Sequence, residues 1–282
     1  MRIGVVAKPD DDSLELVKDI LEYGSSIGID MVIDARLANS VRWKKVFELG
    51  KDRVDYLIVI GGDGTVLNTL LALGDDAIPL ITIKSGKRAF LYDCLPSEFS
   101  EVLRRLLSGD YMIREYMRAE AVVNDTIKLP YALNEYVLAT SGFFRSKVAH
   151  LKVFKKCSDG AIDEIYDVMA DGLLIATSVG STAYNASVGG PLVDPDLEAL
   201  ILTPLAPLDL FVRSMVFPSS AEIIVEVVKD SLEVDVIVDG MYVAKLGPND
   251  RIKVRRAPTP AKFVRFHSLT YGKLVRRLFY ER

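Results

Sequence analysis

The sequence predicts an α/β N-terminal domain built on a parallel sheet, then a β-rich C-terminal domain, then a closing helix that returns to the first domain. Three observations carry that prediction. Up to residue 109, short apolar runs alternate with helical stripes, the pattern of a parallel sheet covered by helices. From 110 to 260, strand-like runs follow one another with turns between them. From 271 a helical stripe returns, with Leu274, Val275 and Leu278 on one face. The expected domains are 1–109 with 261–282, and 110–260.

Composition permits this and narrows the function classes. The chain has 282 residues, half of them apolar and 26% charged, the balance of a soluble globular protein with room for two domains. A net charge of −4 gives no reason to expect a nucleic-acid partner or a membrane surface. The two cysteines, Cys94 and Cys157, and the two histidines, His150 and His267, make no metal-ligand spacing, so no metal ligands are assigned. Met1 runs straight into an apolar strand, no signal peptide or membrane-length run is visible, and a reducing cytoplasm is expected. Gln is absent altogether, and with many charged residues this points to a thermophilic habitat.

In the first domain, Ile3 to Ala7, Met31 to Ile33, Tyr56 to Ile60 and Pro79 to Ile83 read as strands. Ser13 to Tyr23 is a helical stripe, Val41 to Leu49 a short helix, and Leu67 to Leu73 another. Pro96 to Leu107 reads as a helix with Ser97 as its cap. The informative stretch is Gly61-Gly62-Asp63-Gly64-Thr65 between a strand and a helix. Glycines let successive N–H groups close around an anion at a helix N-terminus, and Asp63 adds a carboxylate able to hold a metal or accept a proton from a hydroxyl. The competing reading is a tight turn with Asp63 as a helix cap.

In the second domain, strands are expected at Ala119 to Val123, Ala132 to Leu138, Ala149 to Phe154, Leu173 to Ala176, Glu222 to Val228, Val234 to Val238 and Arg251 to Val254. Asp171-Gly172 leads into a run of hydroxyls and small residues, Thr177 through Gly180-Ser181-Thr182-Ala183-Tyr184-Asn185-Ala186-Ser187. Hydroxyls suit ribose or amide groups, and Tyr184 offers a flat face with a polar tip. The bland alternative is a surface turn before a helix capped by Ser181 or Thr182. Asn134-Glu135 lies in an otherwise apolar strand and must be satisfied by a ligand, water or neighbours, or else face solvent.

Together these blocks, with Leu202-Thr203-Pro204-Leu205-Ala206-Pro207 and Asp239-Gly240, resemble the NAD kinase family over nearly the whole chain. The resemblance implies transfer of a phosphoryl group from ATP or polyphosphate, with a divalent cation such as Mg²⁺, to the 2′-hydroxyl of the adenosine ribose of NAD. It implies Asp63 as proton acceptor with Gly64 beside the nucleotide, Asn134 and Glu135 on ribose or adenine, and Arg145 near the dinucleotide phosphates. It further implies Asp171 at the nicotinamide end, Thr182, Ala183, Tyr184, Asn185, Ala186 and Ser187 along the dinucleotide, and a homo-oligomer, dimer or tetramer. The chain departs from the family pattern at Thr82, Lys84, Ala89, Met169, Leu208 and Met241. Lys84, Lys87 and Arg88 read equally as contacts to donor phosphates or as a solvated basic loop. The rival functions are a kinase of a lipid or sugar alcohol and a dinucleotide sensor without chemistry.

Overall fold

The computed structural model describes residues 1–86, 90–141, 147–157 and 159–267, together with residues 272 and 276. The chain divides into two compact units, Met1–Tyr116 with Ala261–Arg282, and Met117–Pro260.

The first unit carries strands β1 (Arg2–Ala7), β2 (Asp30–Asp34), β3 (Val46–Phe47), β4 (Tyr56–Gly61), β5 (Leu80–Lys84) and β6 (Met112–Tyr116). With the late strand Ala261–Arg265 they form one sheet in the order β3-β2-β1-β4-β5-(261–265)-β6. All pairings are parallel except that of β6 with the late strand. That antiparallel pair, Ala261 opposite Tyr116, holds residues 112–116 in this unit although the texture of the sequence changes at Gly109. The chain winds outward from β1 to β3, then crosses back to β4 on the other side of β1. The carboxyl ends of β1 and β4 thus flank the topological switch point, where open α/β sheets bind ligands.

Helix α1 (Asp11–Ser26) starts where the Asp10 carboxylate accepts the Ser13 N–H at 2.9 Å, and it buries Val17, Ile20 and Leu21 on one stripe. The helix expected over Val41 to Leu49 is not there. A single turn, α2 (Ala38–Val41), ends at Arg42 in left-handed backbone (φ 57°), and Val46–Phe47 pairs with Ile33–Asp34 as the edge strand. Helix α3 (Asp63–Leu73) starts four residues before the apolar run, at Asp63. Helix α4 (Phe99–Ser108) follows a short turn at Pro96–Glu98; the Glu98 carboxylate, not Ser97, takes the leading N–H, that of Leu95, at 2.6 Å. Of the closing helix, positions 272 and 276 are helical and the remainder lies outside the described residues.

The second unit holds β7 (Ala119–Val123), β8 (Ile127–Lys128), β9 (Glu135–Thr140), β10 (Ala149–Lys156), β11 (Ile162–Ala170) and β12 (Gly172–Thr177). It continues with α5 (Tyr184–Ser187), β13 (Ala199–Leu205), β14 (Met215–Pro218), β15 (Glu222–Val227), β16 (Val234–Val238), β17 (Met241–Leu246) and β18 (Arg251–Arg256). Two six-stranded antiparallel sheets result, β11-β10-β15-β18-β7-β8 and β14-β13-β12-β9-β16-β17. The central strands β12 and β13 are buried throughout, as their near-continuous apolar sequence requires. The buried Tyr136 hydroxyl, on β9, donates to Pro130 O at 2.6 Å and Ala119 O at 3.2 Å, tying one sheet to the other. Among the described residues no helix is long and apolar enough to cross a membrane.

Candidate active site

In the first unit β4 gives way to α3 within one residue, Gly62, which caps the helix without a side chain. Helix geometry leaves the Gly64 amide without an intrahelical acceptor, whereas the Thr65 N–H donates to Gly62 O at 3.0 Å, and the helix dipole adds partial positive charge there. A Cβ on Gly61 would lie 2.3 Å from Thr65 Oγ1, so the fold itself requires this glycine. A Cβ on Gly64 would meet nothing within 4 Å among the described residues. Gly64 lies in a helix, where glycine costs about 1 kcal/mol relative to alanine. The fold gives no reason for it; close approach of a ligand does.

The Asp63 carboxylate accepts the Phe90 N–H on both oxygens (2.7 and 2.9 Å) and the Leu91 N–H at 2.8 Å. It thereby holds the loop after β5 against the glycine turn. Lys84 stands opposite Gly61 in the sheet, its Nζ 5.0 Å from the Tyr92 ring centroid, and the Ser85 N–H donates to Gly61 O. Lys87 and Arg88 lie outside the described residues. A magnesium-like cation takes oxygen ligands, typically one or two carboxylates plus substrate phosphates. Asp63 beside the helix amides fits that donor set.

In the second unit Glu135 opens β9 with Asn134 just before it, and both are buried rather than solvent-facing. The Asp239 carboxylate lies against the same backbone and accepts the N–H groups of Leu133, Asn134 and Glu135 at 2.8, 2.9 and 3.0 Å. Asp239 and Gly240 both have left-handed backbone (φ 46° and 85°), forming the tight turn between β16 and β17. Burial raises the Asp239 carboxyl to about 6, opposed by those three amides and by the charge of buried Arg118. Burial and then the neighbouring Asp239 push Glu135 up to about 8, opposed by the Tyr184 backbone amide. The Glu135 Oε2 atom is buried and has no hydrogen-bond partner among the described residues. A polar group in that state is stabilised when a ligand supplies its partner.

The Thr177-to-Ser187 block is locked onto this strand end. Asn134 O accepts the Thr177 N–H at 2.8 Å, and Thr177 Oγ1 accepts the Gly180 N–H at 3.1 Å. A Cβ on Gly180 would lie 2.1 Å from Asn134 O, so only glycine permits the approach. Neither Ser181 nor Thr182 caps α5; the buried Ser181 hydroxyl donates to Val193 O and accepts the Val193 N–H. Asn185 is fully buried, donating to Ser181 O and Pro191 O and accepting from the Thr203 hydroxyl at 2.7 Å. Its side chain holds the loop in shape. Tyr184 and Ser187 are exposed, while Thr182, Ala183 and Ala186 are partly so.

The second unit therefore brings Asn134, Glu135 and the Thr182-to-Ser187 block together. Asp171 is not with them. It is exposed at the far end of β12, whose Ala176 pairs with Glu135 and whose Gly172 pairs with Ala139, so it lies roughly 17 Å along the strand from Glu135. Arg145 lies outside the described residues. The role of the Asp239 carboxylate was not visible in the sequence; its only signal was an Asp-Gly turn between two alternating apolar runs. The fold also gathers Asp93, Cys94 and His267, with ligand atoms within 4.8 Å of one another. Asp93 there accepts the Phe266 N–H, and buried Arg265 stands 3.9 Å away, a charge that works against a cation.

Comparison with known proteins fits these features. The family model for the ATP-NAD kinase N-terminal domain matches residues 3–111, and that for the ATP-NAD kinase C-terminal domain matches residues 145–266. The NAD kinase of Thermococcus sibiricus is 38% identical over 277 residues, 97% of both chains. A crystal structure of an NAD kinase from Archaeoglobus fulgidus in complex with ATP superposes with a TM-score of 0.75 at 26% identity, covering 100% of this chain and 98% of that one. Yeast NADH kinase complexed with NADH shares the fold, with a TM-score of 0.87 at 22% identity, covering 99% of this chain and 86% of that one. The chain belongs to the NAD kinase family and phosphorylates NAD to NADP.

Proposed function

We propose that Asp63 is the proton acceptor in transfer of the γ-phosphoryl group of ATP to the 2′-hydroxyl of the adenosine ribose of NAD. The observation that carries this reading is a carboxylate in the first turn of α3, beside a glycine that the fold does not need. Phosphoryl transfer depends chiefly on positioning and charge neutralisation. The first-turn amides serve the donor's phosphates, with Lys84 as a nearby cation. Asp63 would hold a divalent cation such as Mg²⁺, which would supply further neutralisation of the phosphate charge. An alcohol is a poor acid, so Asp63 orients the hydroxyl and takes its proton late. The hydroxyl shares the Asp63 oxygens with the Phe90 and Leu91 amides, which couples the loop after β5 to occupancy of the site. Asn134, Glu135 and the Thr182-to-Ser187 block supply the dinucleotide contacts.

On this reading Asp171 contacts the nicotinamide end, and the protein is a homo-oligomer. Exposed apolar side chains lie close by in the chain: Met169, whose carbonyl accepts the Leu208 N–H, then Leu208, Leu210 and Phe211, a surface for another copy to cover. Light scattering of the purified protein reads the copy number, and a monomer at micromolar concentration rejects this part. Two free cysteines, Cys94 and Cys157, fit a cytoplasmic enzyme. The main test is a matrix of donors (ATP, polyphosphate) against acceptors (NAD, NADH, lipid and sugar alcohols). NAD is expected to be phosphorylated, and Asp63→Asn to lower kcat by about 10³-fold with NAD still bound. NAD binding without turnover in the wild type marks a sensor instead, and unchanged turnover in Asp63→Asn removes Asp63 from its role.

A further inference from the structure

We propose that Arg265 is a positioning residue for the reaction, a buried strut that sets the loop against which the Asp63 carboxylate is held. This rests on the kinase reading and extends it to a side chain remote in sequence. Arg265 ends the late strand Ala261–Arg265 and is only 3% exposed. Its Nη1 donates to Leu91 O at 3.1 Å, and the Leu91 N–H donates in turn to Asp63 Oδ1 at 2.8 Å. One residue of the loop therefore joins a buried guanidinium to the proposed proton acceptor.

The fold alone does not account for this guanidinium. Burying a charge is unfavourable unless it is paired and hydrogen-bonded, and Arg265 is only partly so. The Asp93 carboxylate, also buried, stands 3.9 Å from Nη1, beyond hydrogen-bond length. Nε and Nη2 are buried and have no hydrogen-bond partner among the described residues. Aromatic rings hold the group in place: Cζ lies 4.9 Å from the Phe263 ring centroid and 5.9 Å from that of Tyr116. Those contacts fix the guanidinium and leave its hydrogen bond to Leu91 O as the use made of it. An apolar side chain would fill the same space without stranding a donor. The carbonyl it carries is the reason for an arginine here.

The far end of the loop is anchored without Arg265. The Asp93 and Cys94 N–H groups both donate to Thr82 O at 3.1 Å, and Asp93 Oδ2 accepts the Phe266 N–H at 2.6 Å. At Leu91 the carbonyl has two donors, Arg265 Nη1 and the Thr82 hydroxyl at 3.0 Å. Removing Arg265 thus loosens the Leu91 end, which carries the two amides on Asp63. A reacting group displaced by about 1 Å can lose about 10²-fold in rate. The effect then falls on turnover rather than on dinucleotide binding.

The test is a double-mutant cycle on NADP formation with the wild type, Arg265→Met, Asp63→Asn and the double variant, and with Arg265→Lys alongside. Methionine is apolar and of similar length, and the Asp93, Cys94 and Phe266 bonds remain, so Arg265→Met is expected to fold, as near-ultraviolet circular dichroism reads. Its kcat is expected to fall about 10²-fold with the KM for NAD unmoved. Lysine restores the charge without the planar fork, so Arg265→Lys is expected to recover part of that loss. In the Asp63→Asn background Arg265→Met is expected to cost less than about twofold, because the strut acts through the carboxylate already removed. Amide exchange in the nucleotide-free protein reads the same strut without turnover: the Phe90 and Leu91 amides are expected to exchange faster in Arg265→Met, and those of β1 at the wild-type rate. Unchanged kcat, equal losses in both backgrounds, a raised KM for NAD with kcat retained, or unchanged Phe90 and Leu91 exchange overturns the proposal. Where Arg265→Met does not fold, the cycle with Arg265→Lys decides by the same criteria. Failure of the kinase reading shows separately, as a wild type that forms no NADP with any donor.

Discussion

Gly64 and Gly180 each lie in a turn that runs from a strand into a helix, yet their surroundings are opposite. Above Gly64 the described residues leave open space; against Gly180 stands the carbonyl of Asn134, 2.1 Å from where a Cβ would be. The polar groups around them differ in the same way. At the first turn of α3 helix geometry leaves the Gly64 amide without an internal acceptor. In the second unit Asp239 spends its carboxylate on three backbone amides, and Asn185 spends its amide on Ser181, Pro191 and Thr203. The first region is shaped for a visitor by what it leaves undone. The second is a scaffold whose internal bonds present a few remaining groups, the Glu135 Oε2 atom and the Tyr184 ring among them.

If that contrast is right, the largest stability loss comes from the scaffold. Asp239→Ala removes the acceptor of three buried N–H groups, at about 1–3 kcal/mol for each left unpaired. Relief from desolvating the carboxylate returns part of this, leaving a loss of about 4 kcal/mol and a melting temperature lower by about 10 °C. Asp239→Asn keeps one acceptor oxygen and tolerates the left-handed backbone, so it is expected to fall between. Thermal and urea unfolding measure both. An unchanged Asp239→Ala melting temperature would show that water replaces the carboxylate and that the cluster is not a scaffold.

The two regions also differ in how far the sequence reveals them. The glycine turn is local: apolar β4, the glycines and Asp63 fall within ten residues, and each signals through its own chemistry. The core strands β1, β4, β5 and β12 are legible for the same reason, as short apolar runs. Asp239 is not, because its partners lie 104 to 106 positions away and only the fold joins them. Strand β11 goes unread because it is acidic and mostly exposed, without period-two burial. Helix Val41 to Leu49 is misread because one left-handed residue, Arg42, turns the chain into an edge strand. Asn185 stands out in the sequence as a polar residue in an unusual run, but composition does not tell whether an amide faces a ligand or the core.

A smaller effect tests the charge inside the scaffold. The Glu135 carboxyl has a reference value of 4.5 and is raised to about 8 in the fold, by burial first and Asp239 second. Below 4.5 both folded and unfolded chains hold the proton, so the stability it carries is fully present. Between 4.5 and 8 the unfolded chain releases the proton while the folded chain keeps it, and stability falls as pH rises through the folded value. Glu135→Gln removes this dependence without removing the shape. It is expected to match the wild type near pH 5 and to exceed it near pH 9 by on the order of 3 kcal/mol. Denaturant unfolding across that range, without nucleotide, gives the answer. Parallel pH profiles in the two proteins would mean that Glu135 is ionised at neutral pH and hydrated.

The finest test makes the same substitution in both regions. Gly180→Ala drives a methyl into the Asn134 backbone, and neither atom is the end of a flexible side chain. Relief requires the turn to lift off β9, at a cost of about 2 kcal/mol. Gly64→Ala meets no atom of the described residues and replaces a poor helix former in the first turn of α3, so stability is expected to rise by about 0.5–1 kcal/mol. Activity is expected to invert the order of tolerance for Gly64. Its methyl occupies the surface on which the donor's phosphates rest, so kcat/KM for ATP falls in a protein that melts higher. A gain in melting temperature with a loss of turnover separates a glycine kept for a ligand from one kept for the fold. Gly64→Ala with full activity would assign the open space above that residue to solvent and leave the phosphates to be held from another direction.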